Sequence, residues 1–425
     1  MHGVMGKPPG AQTNGVATSK VMLLLLVAMT GVAPISLYIL VPALPVLATT
    51  FGGDISIVQM TVSLYMVGIA CSQLIMGPLS DKFGRRPVLL AGLALMVAAS
   101  IGCSLAQTLP QLIAARFLQA LGGATGMVVS RAIIRDLYSR DRISSMISLV
   151  IGVMMVAQML SALAGGLLET AFGWRAIFYF ITAASLSVAV LIAIALPETR
   201  RDRSEGSSFR GDVGKLIRDR AFLGYVLCQV LASQIIFMFA GGGPYIVVTQ
   251  MGRTTAEYGA WFATTGFAYL VGNLFCVRFA PRHSLEKLIW FGLALQFAGS
   301  LLNLVLSMTG TNQAPLWLFG TQMIVMAANA FVMNNAAAGA ISVRPEAAGT
   351  AAGAMGFLQQ GIGALISQFG AYLGGHSTTT LPLTAAILAL SIACASAMFF
   401  LVPRRDVVVS EELMEKAEEE ESGML

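Results

Sequence analysis

Apolar residues run along this chain in long stretches, interrupted at intervals by a few polar or charged positions. A helix crossing a bilayer needs about 20 mostly apolar residues. Runs of that kind recur from residue 21 to residue 402 and predict twelve spans, at approximately 21–48, 56–79, 87–107, 110–134, 143–168, 172–196, 221–249, 256–279, 287–308, 315–341, 347–373 and 381–402. The first run, Val21–Leu47, exceeds the roughly 7–15 residues of a signal-peptide core, so it reads as the first span rather than as a leader. The expected fold class is an all-α membrane protein of twelve transmembrane helices.

Composition agrees with the pattern. The chain is 56% hydrophobic and 11% charged, with a mean hydropathy of +0.77, whereas soluble domains are roughly 45–50% apolar and about 25% charged. All five cysteines, Cys71, Cys103, Cys228, Cys276 and Cys394, fall inside predicted spans without CxxC spacing. They read as small apolar packing residues rather than disulfides or metal ligands.

The placement of charge says more than the net +5. With the amino terminus inside, all 26 Lys and Arg except Arg116, Arg175 and Arg253 lie in segments on the inner side. The positive-inside rule then predicts a multi-pass protein of the cell inner membrane with both termini cytoplasmic. The basic excess is a topology signal and implies no nucleic-acid partner.

The segment Pro197–Arg220 carries seven basic and five acidic residues and divides the spans six and six. The expected organisation is a cytoplasmic tail at 1–20, a six-helix half at 21–196, a cytoplasmic linker at 197–220, a second six-helix half at 221–402 and an acidic cytoplasmic tail at 403–425. Two six-span halves around a site at the membrane midplane are the plan of a secondary transporter.

Between the second and third spans the chain reads Gly-Pro-Leu-Ser-Asp-Lys-Phe-Gly-Arg-Arg-Pro, from Gly77 to Pro87. Topology accounts for Lys82 and Arg86, but acids contribute little to it, which leaves Asp81 in need of a reason. Gly77 and Gly84 point to tight turning or close backbone approach. This spacing resembles the signature loop of the major facilitator superfamily. The resemblance implies a conformational switch in which Asp81 faces the start of span 11, here "RPEAAGTAAG". A helix amino terminus there carries roughly half a positive charge. Arg85 lies one turn from Asp81 and within reach of Asp136 at the close of span 4. Together these groups would hold the cytoplasmic side shut.

"LVPALPVLATTFG", "RFLQALGGATGMVVSRAIIRD", "GWRAIFYF" and "AAGTAAGAMGFLQQGIGALIS" resemble the bicyclomycin- and chloramphenicol-resistance type of drug–proton antiporter within that superfamily. The resemblance covers nearly the whole chain. It implies export of small amphiphilic molecules in exchange for protons, with no cofactor and no metal, by a chain expected to work as a monomer in the lipid bilayer.

Two departures from that family and one retained residue matter. All 21 acids lie in loops, tails or span ends, and Leu37 or Tyr38 stands where the family has an Asp in span 1. A tyrosine with a pKa near 10 is a poor proton carrier at neutral pH. In span 5, "AQMLSALAGG" has Gln158 and Ala162 at the family's proline positions and keeps Gly165 and Gly166. Loss of the prolines straightens the helix, and Gln158 either offers its amide to a central cavity or bonds between helices. Arg116 is retained, six residues past Pro110 and so roughly 9 Å down the helix. A buried guanidinium stays charged, so it meets an anionic substrate group or carbonyl dipoles, or it snorkels to the surface.

Further pathway candidates are Gln234 and Phe237 in span 7, ahead of "AGGGPY", where three glycines and Pro244 are expected to interrupt the helix. Asn334 and Asn335 in span 10 and Gln359 in span 11 are either ligand contacts or interhelical hydrogen bonds. The histidines, His2, His283 and His376, lie in tails or loops, and no acid–base, nucleophile or metal set converges in the spans. The phosphate-binding pattern GxxxxGK[ST] is also missing. These features weigh against an enzyme and against a transport ATPase. A small-molecule exporter driven by protons leads; a facilitator or symporter for an anionic metabolite is the alternative.

Overall fold

The computed structural model describes residues 20–138, 140–199, 218–311, 314–343 and 348–402. Among them there is no β-strand, and helices occupy all twelve predicted span positions. Ten segments are long and apolar enough to cross a membrane, beginning with Val21–Phe51 and Ile55–Phe83 and ending with Leu381–Leu401. The fifth and eleventh positions are filled by the helices Arg140–Phe172 and Ala348–His376. The two tails, most of the linker and the "RPEA" that opens the predicted span 11 fall outside the described residues.

Local sequence explains where the helices begin and bend. Asp54 caps span 2, accepting from the Ser56 amide at 2.6 Å, and Asp219 caps span 7 through the Ala221 and Phe222 amides. Each fills donors that a helix start otherwise leaves empty. Span 1 breaks after Tyr38 into a short 3-10 turn, Val41–Ala43, before resuming at Leu44. Pro42 sits in that break, and Pro45 lies in the first turn of the helix that follows, where its missing amide hydrogen has no ladder bond to lose. Span 5 runs as one helix of 33 residues from Arg140 to Phe172.

Span 7 differs from its expected course. The helix continues through Gly241, Gly242 and Gly243 to Pro244, then widens into a π-helical turn, Tyr245–Gln250. The glycines permit close packing instead of a break. A Cβ on Gly241 would meet the Ser367 carbonyl, and one on Gly242 the Gly370 carbonyl. Span 11 therefore lies directly on span 7.

The first six helices meet the last six chiefly where span 2 lies along span 11 and span 5 along span 8. The Gly77–Pro87 turn and the ends at Lys20 and Val402 define a basic end of the bundle; the turns at Asp54, Gly173, Arg253 and His376 define the opposite end. Hydrogen bonds across the two sets of helices gather toward the opposite end. Gln59 Nε2 donates to Ser367 Oγ at 2.8 Å, and Ser63 Oγ to Gln368 Oε1 at 2.9 Å. Gln368 Nε2 reaches the Ser56 carbonyl, and Thr170 and Thr255 are 2.9 Å apart through their hydroxyls. Glu169 also accepts from Thr255, and His376 Nε2 stands 3.9 Å from Asp54 Oδ2.

Candidate functional site

At the basic end, the turn between spans 2 and 3 is built on one residue type at one angle. Gly84 has φ +100°, a conformation that side chains rarely adopt. It caps span 2, donating its amide to the Ser80 carbonyl, and precedes Arg85 at the start of span 3. A Cβ there would also strike the Glu198 carboxylate. Gly77, by contrast, stands in a looser contact, 3.9 Å from Val128.

Arg85 organises this corner. Its Nη1 lies 2.5 Å from Asp81 Oδ1 and 2.7 Å from Ser80 Oγ, and its Nε lies 3.2 Å from Asp136 Oδ2. Arg85 and Asp136 are buried, whereas the Asp81 side chain is 66% exposed. The predicted meeting of Asp81 with the first turn of span 11 falls on residues outside those described.

Sequence reasoning missed the Glu198 carboxylate, which closes the corner. It accepts from the Arg85 amide at 2.9 Å and the Arg86 amide at 3.1 Å, an acid on a helix start where the dipole favours it. Arg86 itself reaches the Ala193 carbonyl at 2.6 Å. The available signal was position: Glu198 is an acid within three residues of the end of span 6, at the same end of the bundle as Arg85.

Arg116 sits within the first six helices, with none of its surface exposed. Nη1 donates to Gln119 Oε1 at 2.5 Å, Ser36 Oγ at 3.1 Å and the Ser36 carbonyl at 3.2 Å. Nε donates to the Thr61 carbonyl at 3.3 Å, and the guanidinium lies 3.9 Å from the Tyr65 ring centroid. Gln119 passes the network on to Ser100 at 2.7 Å, and Tyr65 donates to the Ala33 carbonyl at 2.9 Å. Of the partners considered for Arg116, the structure supplies carbonyl and amide dipoles. Gln119 was legible: it lies three residues on, on the same helical face.

Between the two sets of helices stands a wall of aromatic and amide groups. Tyr38, at the break in span 1, stands beside Gln158 of span 5 and lies 5.9 Å, centroid to centroid, from Phe262 of span 8. Phe237 of span 7 and Met66 of span 2 both crowd Gly363 of span 11. Gln359 accepts from Gln229 at 3.2 Å, and buried Gln234 turns its amide to the Val230 carbonyl at 2.8 Å. Tyr38 and Gln158 are thus brought together, as are Gln234 and Gln359, whose carbonyl lies 3.5 Å from Gln234 Nε2.

The remaining candidates lie in helix contacts. Asn334 donates to Asn273 at 2.8 Å and accepts from Tyr269 at 3.4 Å, and Asn335 donates to the Phe331 carbonyl at 2.7 Å. A Cβ on Gly165 would collide with the Ile39 carbonyl, and one on Gly166 with the Thr255 carbonyl. The pair therefore seats span 5 on the break in span 1 and on the start of span 8.

A helical bundle of this kind, with this charged corner, has relatives. The sequence model of the Major Facilitator Superfamily matches residues 26–368. The chain belongs to the Major Facilitator Superfamily. Among facilitator relatives, a bicyclomycin resistance protein homolog of Haemophilus influenzae is 26% identical over 351 residues, covering 82% of this chain and 87% of that one. A chloramphenicol resistance protein of Pseudomonas aeruginosa is 30% identical over 285 residues, covering 66% and 68%. The solved structure of a D-xylose–proton symporter superposes with a TM-score of 0.72 at 15% identity, covering 91% of this chain and 98% of that one, which shows the shared fold. The protein is therefore a multi-pass membrane transporter of small molecules and not an enzyme.

Proposed function

We propose that this facilitator exports small amphiphilic compounds, antibiotics among them, in exchange for protons. The observation that carries the reading is the resistance-protein relatives, which align over most of the chain. The wall of Tyr38, Phe262, Gln158, Phe237, Gln234 and Gln359 supports it, because rings offer apolar area while neutral amides orient a ligand's few polar groups. The skewed distribution of Lys and Arg supports placing the basic end and both termini in the cytoplasm of a cell with an inner membrane. In that orientation, the hydrogen bonds gathered at the opposite end close the outer side.

A second reading, a facilitator or symporter for an anionic metabolite, is favoured by one observation. Among the described residues no carboxylate lies near the middle of a span, and Arg116 is held by neutral dipoles. The deciding experiment measures uptake of chloramphenicol and bicyclomycin into inverted vesicles, with and without an imposed pH gradient. Proton-driven export requires uptake that collapses with a protonophore and survives a potassium-ionophore control. Uptake unchanged without the gradient selects the facilitator.

A further inference from the structure

His376 closes span 11 and Asp54 caps the start of span 2, so the two stand on opposite sets of helices. Those helix ends touch directly: a Cβ on Gly375 would strike the Ile55 side chain. His376 Nε2 lies 3.9 Å from Asp54 Oδ2, with the two side chains 42% and 53% exposed. The other ring nitrogen, Nδ1, lies 3.2 Å from the Tyr372 carbonyl. The imidazole also stacks on the Tyr372 ring, 4.6 Å between centroids.

Both partners of the imidazole are acceptors. A carbonyl oxygen has no hydrogen to give. The Asp54 carboxyl is ionised at neutral pH, because the Ser56 amide and hydroxyl, and after them His376, hold it below its ordinary range. A neutral imidazole carries a single N–H and serves one of these acceptors while turning a lone pair on the other. The imidazolium carries two N–H groups and serves both. The last turn of a helix, where His376 sits, also favours positive charge. Histidine is the side chain whose charge ordinarily changes between pH 5 and 8.

The groups around this pair hold steady over that range. Tyr372 on span 11 and Tyr245 after span 7 are phenols, neutral below about pH 9, and Tyr245 is near enough to Asp54 to feel its charge. Gln250 donates to the Gly374 and Ser377 carbonyls at 2.8 and 2.7 Å. Arg253 pairs with Glu257 on its own turn. Asp54 is the charged group that faces His376.

We propose that His376 is a proton-binding sensor at the outer end: one proton clasps span 11 to span 2, and its loss loosens the closure between the two sets of helices. The bond made is N–H, and the proton comes from the outer solution and returns to it, because the ring stays part-exposed there. His376 therefore gates the pathway and carries no proton across. Acid outside holds the outer side shut and favours the state open to the cytoplasm. A part-exposed pair is weak, so the proton biases the closure about two- to fivefold rather than locking it. The inference rests on the export reading only for which end faces outward.

The test uses the full chain in nanodiscs, its native cysteines replaced by alanine. Spin labels are placed at Thr50→Cys and Thr378→Cys, an exposed position on each set of helices. Double electron–electron resonance reads the fraction of molecules with the labels far apart. Raising the pH from about 5.5 to about 8 should increase that fraction about two- to fivefold. His376→Gln, neutral throughout, should show the parent's high-pH fraction at both values, and His376→Lys, charged throughout, the low-pH fraction at both. Asp54→Asn, which keeps a helix cap, should also lose the response. A parent whose distances ignore pH, a His376→Gln protein that responds as the parent does, or a His376→Lys protein as open as His376→Gln overturns the inference. No substrate is present, so failure here leaves the export reading standing. Vesicle uptake that ignores the pH gradient sinks proton exchange and leaves the clasp untouched.

Discussion

The guanidinium of Arg116 lies flat enough on Tyr65 to bring its central carbon within 3.9 Å of the ring centroid. Tyr65 is in turn fixed by its own bond to the Ala33 carbonyl. A permanent charge is thereby held inside the first six helices by a ring face, two serine atoms, an amide and a carbonyl. Cation–ring contacts of this kind contribute about 2 kcal/mol or more when desolvated, and each bond to the charge adds about 1.5–3 kcal/mol. The arginine is locked by neutral partners.

Arg116→Lys and Arg116→Ala should therefore both impair transport, alanine more severely. Lysine keeps the charge but loses the planar fork and the stack on Tyr65. Alanine also removes the donor that Gln119 Oε1 and the Ser36 carbonyl share, and losing a hydrogen bond to a charged group costs about 1.5–3 kcal/mol. Efflux from loaded cells, with thermal unfolding of the same variants, checks both. An Arg116→Ala protein as active as the parent removes the arginine from the mechanism.

Asp81→Asn should greatly reduce transport while leaving the protein inserted, because it removes one of the two carboxylates holding Arg85. Asp136→Asn should also lower stability, since Arg85 and Asp136 are both buried and breaking such a pair costs about 3–5 kcal/mol. Transport assays on membranes with matched expression decide the first, and melting in detergent the second. Full activity in well-expressed Asp81→Asn would end its role as a switch.

Gly84→Ala should be more disruptive than Gly77→Ala. At Gly84 a side chain meets both a disfavoured φ and the Glu198 carboxylate that caps span 3. The conformational part alone costs about 1–3 kcal/mol. At Gly77 the added methyl finds ordinary contact distance. The expected order of melting temperature is parent, Gly77→Ala, Gly84→Ala, and equal melting of the two variants contradicts it.

Gly166→Val should wedge span 5 away from the start of span 8, because the new side chain occupies the space of the Thr255 carbonyl. A cysteine introduced at Thr254 should then react faster with an impermeant thiol reagent than it does in the parent background, and transport should fall. Unchanged labelling would show that the helices seal by another route.

Acid should weaken the opposite end of the bundle. The Ser56 amide, the Ser56 hydroxyl and His376 together hold the Asp54 carboxyl below its ordinary range. A carboxyl lowered in the folded state stabilises above its unfolded value of about 3.9, and that contribution disappears as pH falls through the lower folded value. Stability should therefore decline more steeply below about pH 4 in the parent than in Asp54→Asn, and thermal melting across pH 2–6 measures the difference.

Much of this protein was legible because a bilayer imposes one-dimensional rules. Spans must be apolar and long enough to cross, basic residues must stay on one side, and Gly84 must be glycine where the chain turns with positive φ. Hence the helical span positions and the proximity of Asp81, Arg85 and Asp136 could be read from residue order. Pairings between distant segments could not. That Glu198 caps Arg85, that Gln158 meets Tyr38, that Cys228 and Cys394 stand 3.6 Å apart, and that the span 7 glycines admit span 11 all depend on how helices cross. Local sequence encodes which side of each helix is small, polar or greasy. Only tertiary packing decides which neighbour that side meets, because in a membrane every helix is apolar and close fit, rather than hydrophobicity, selects the partner.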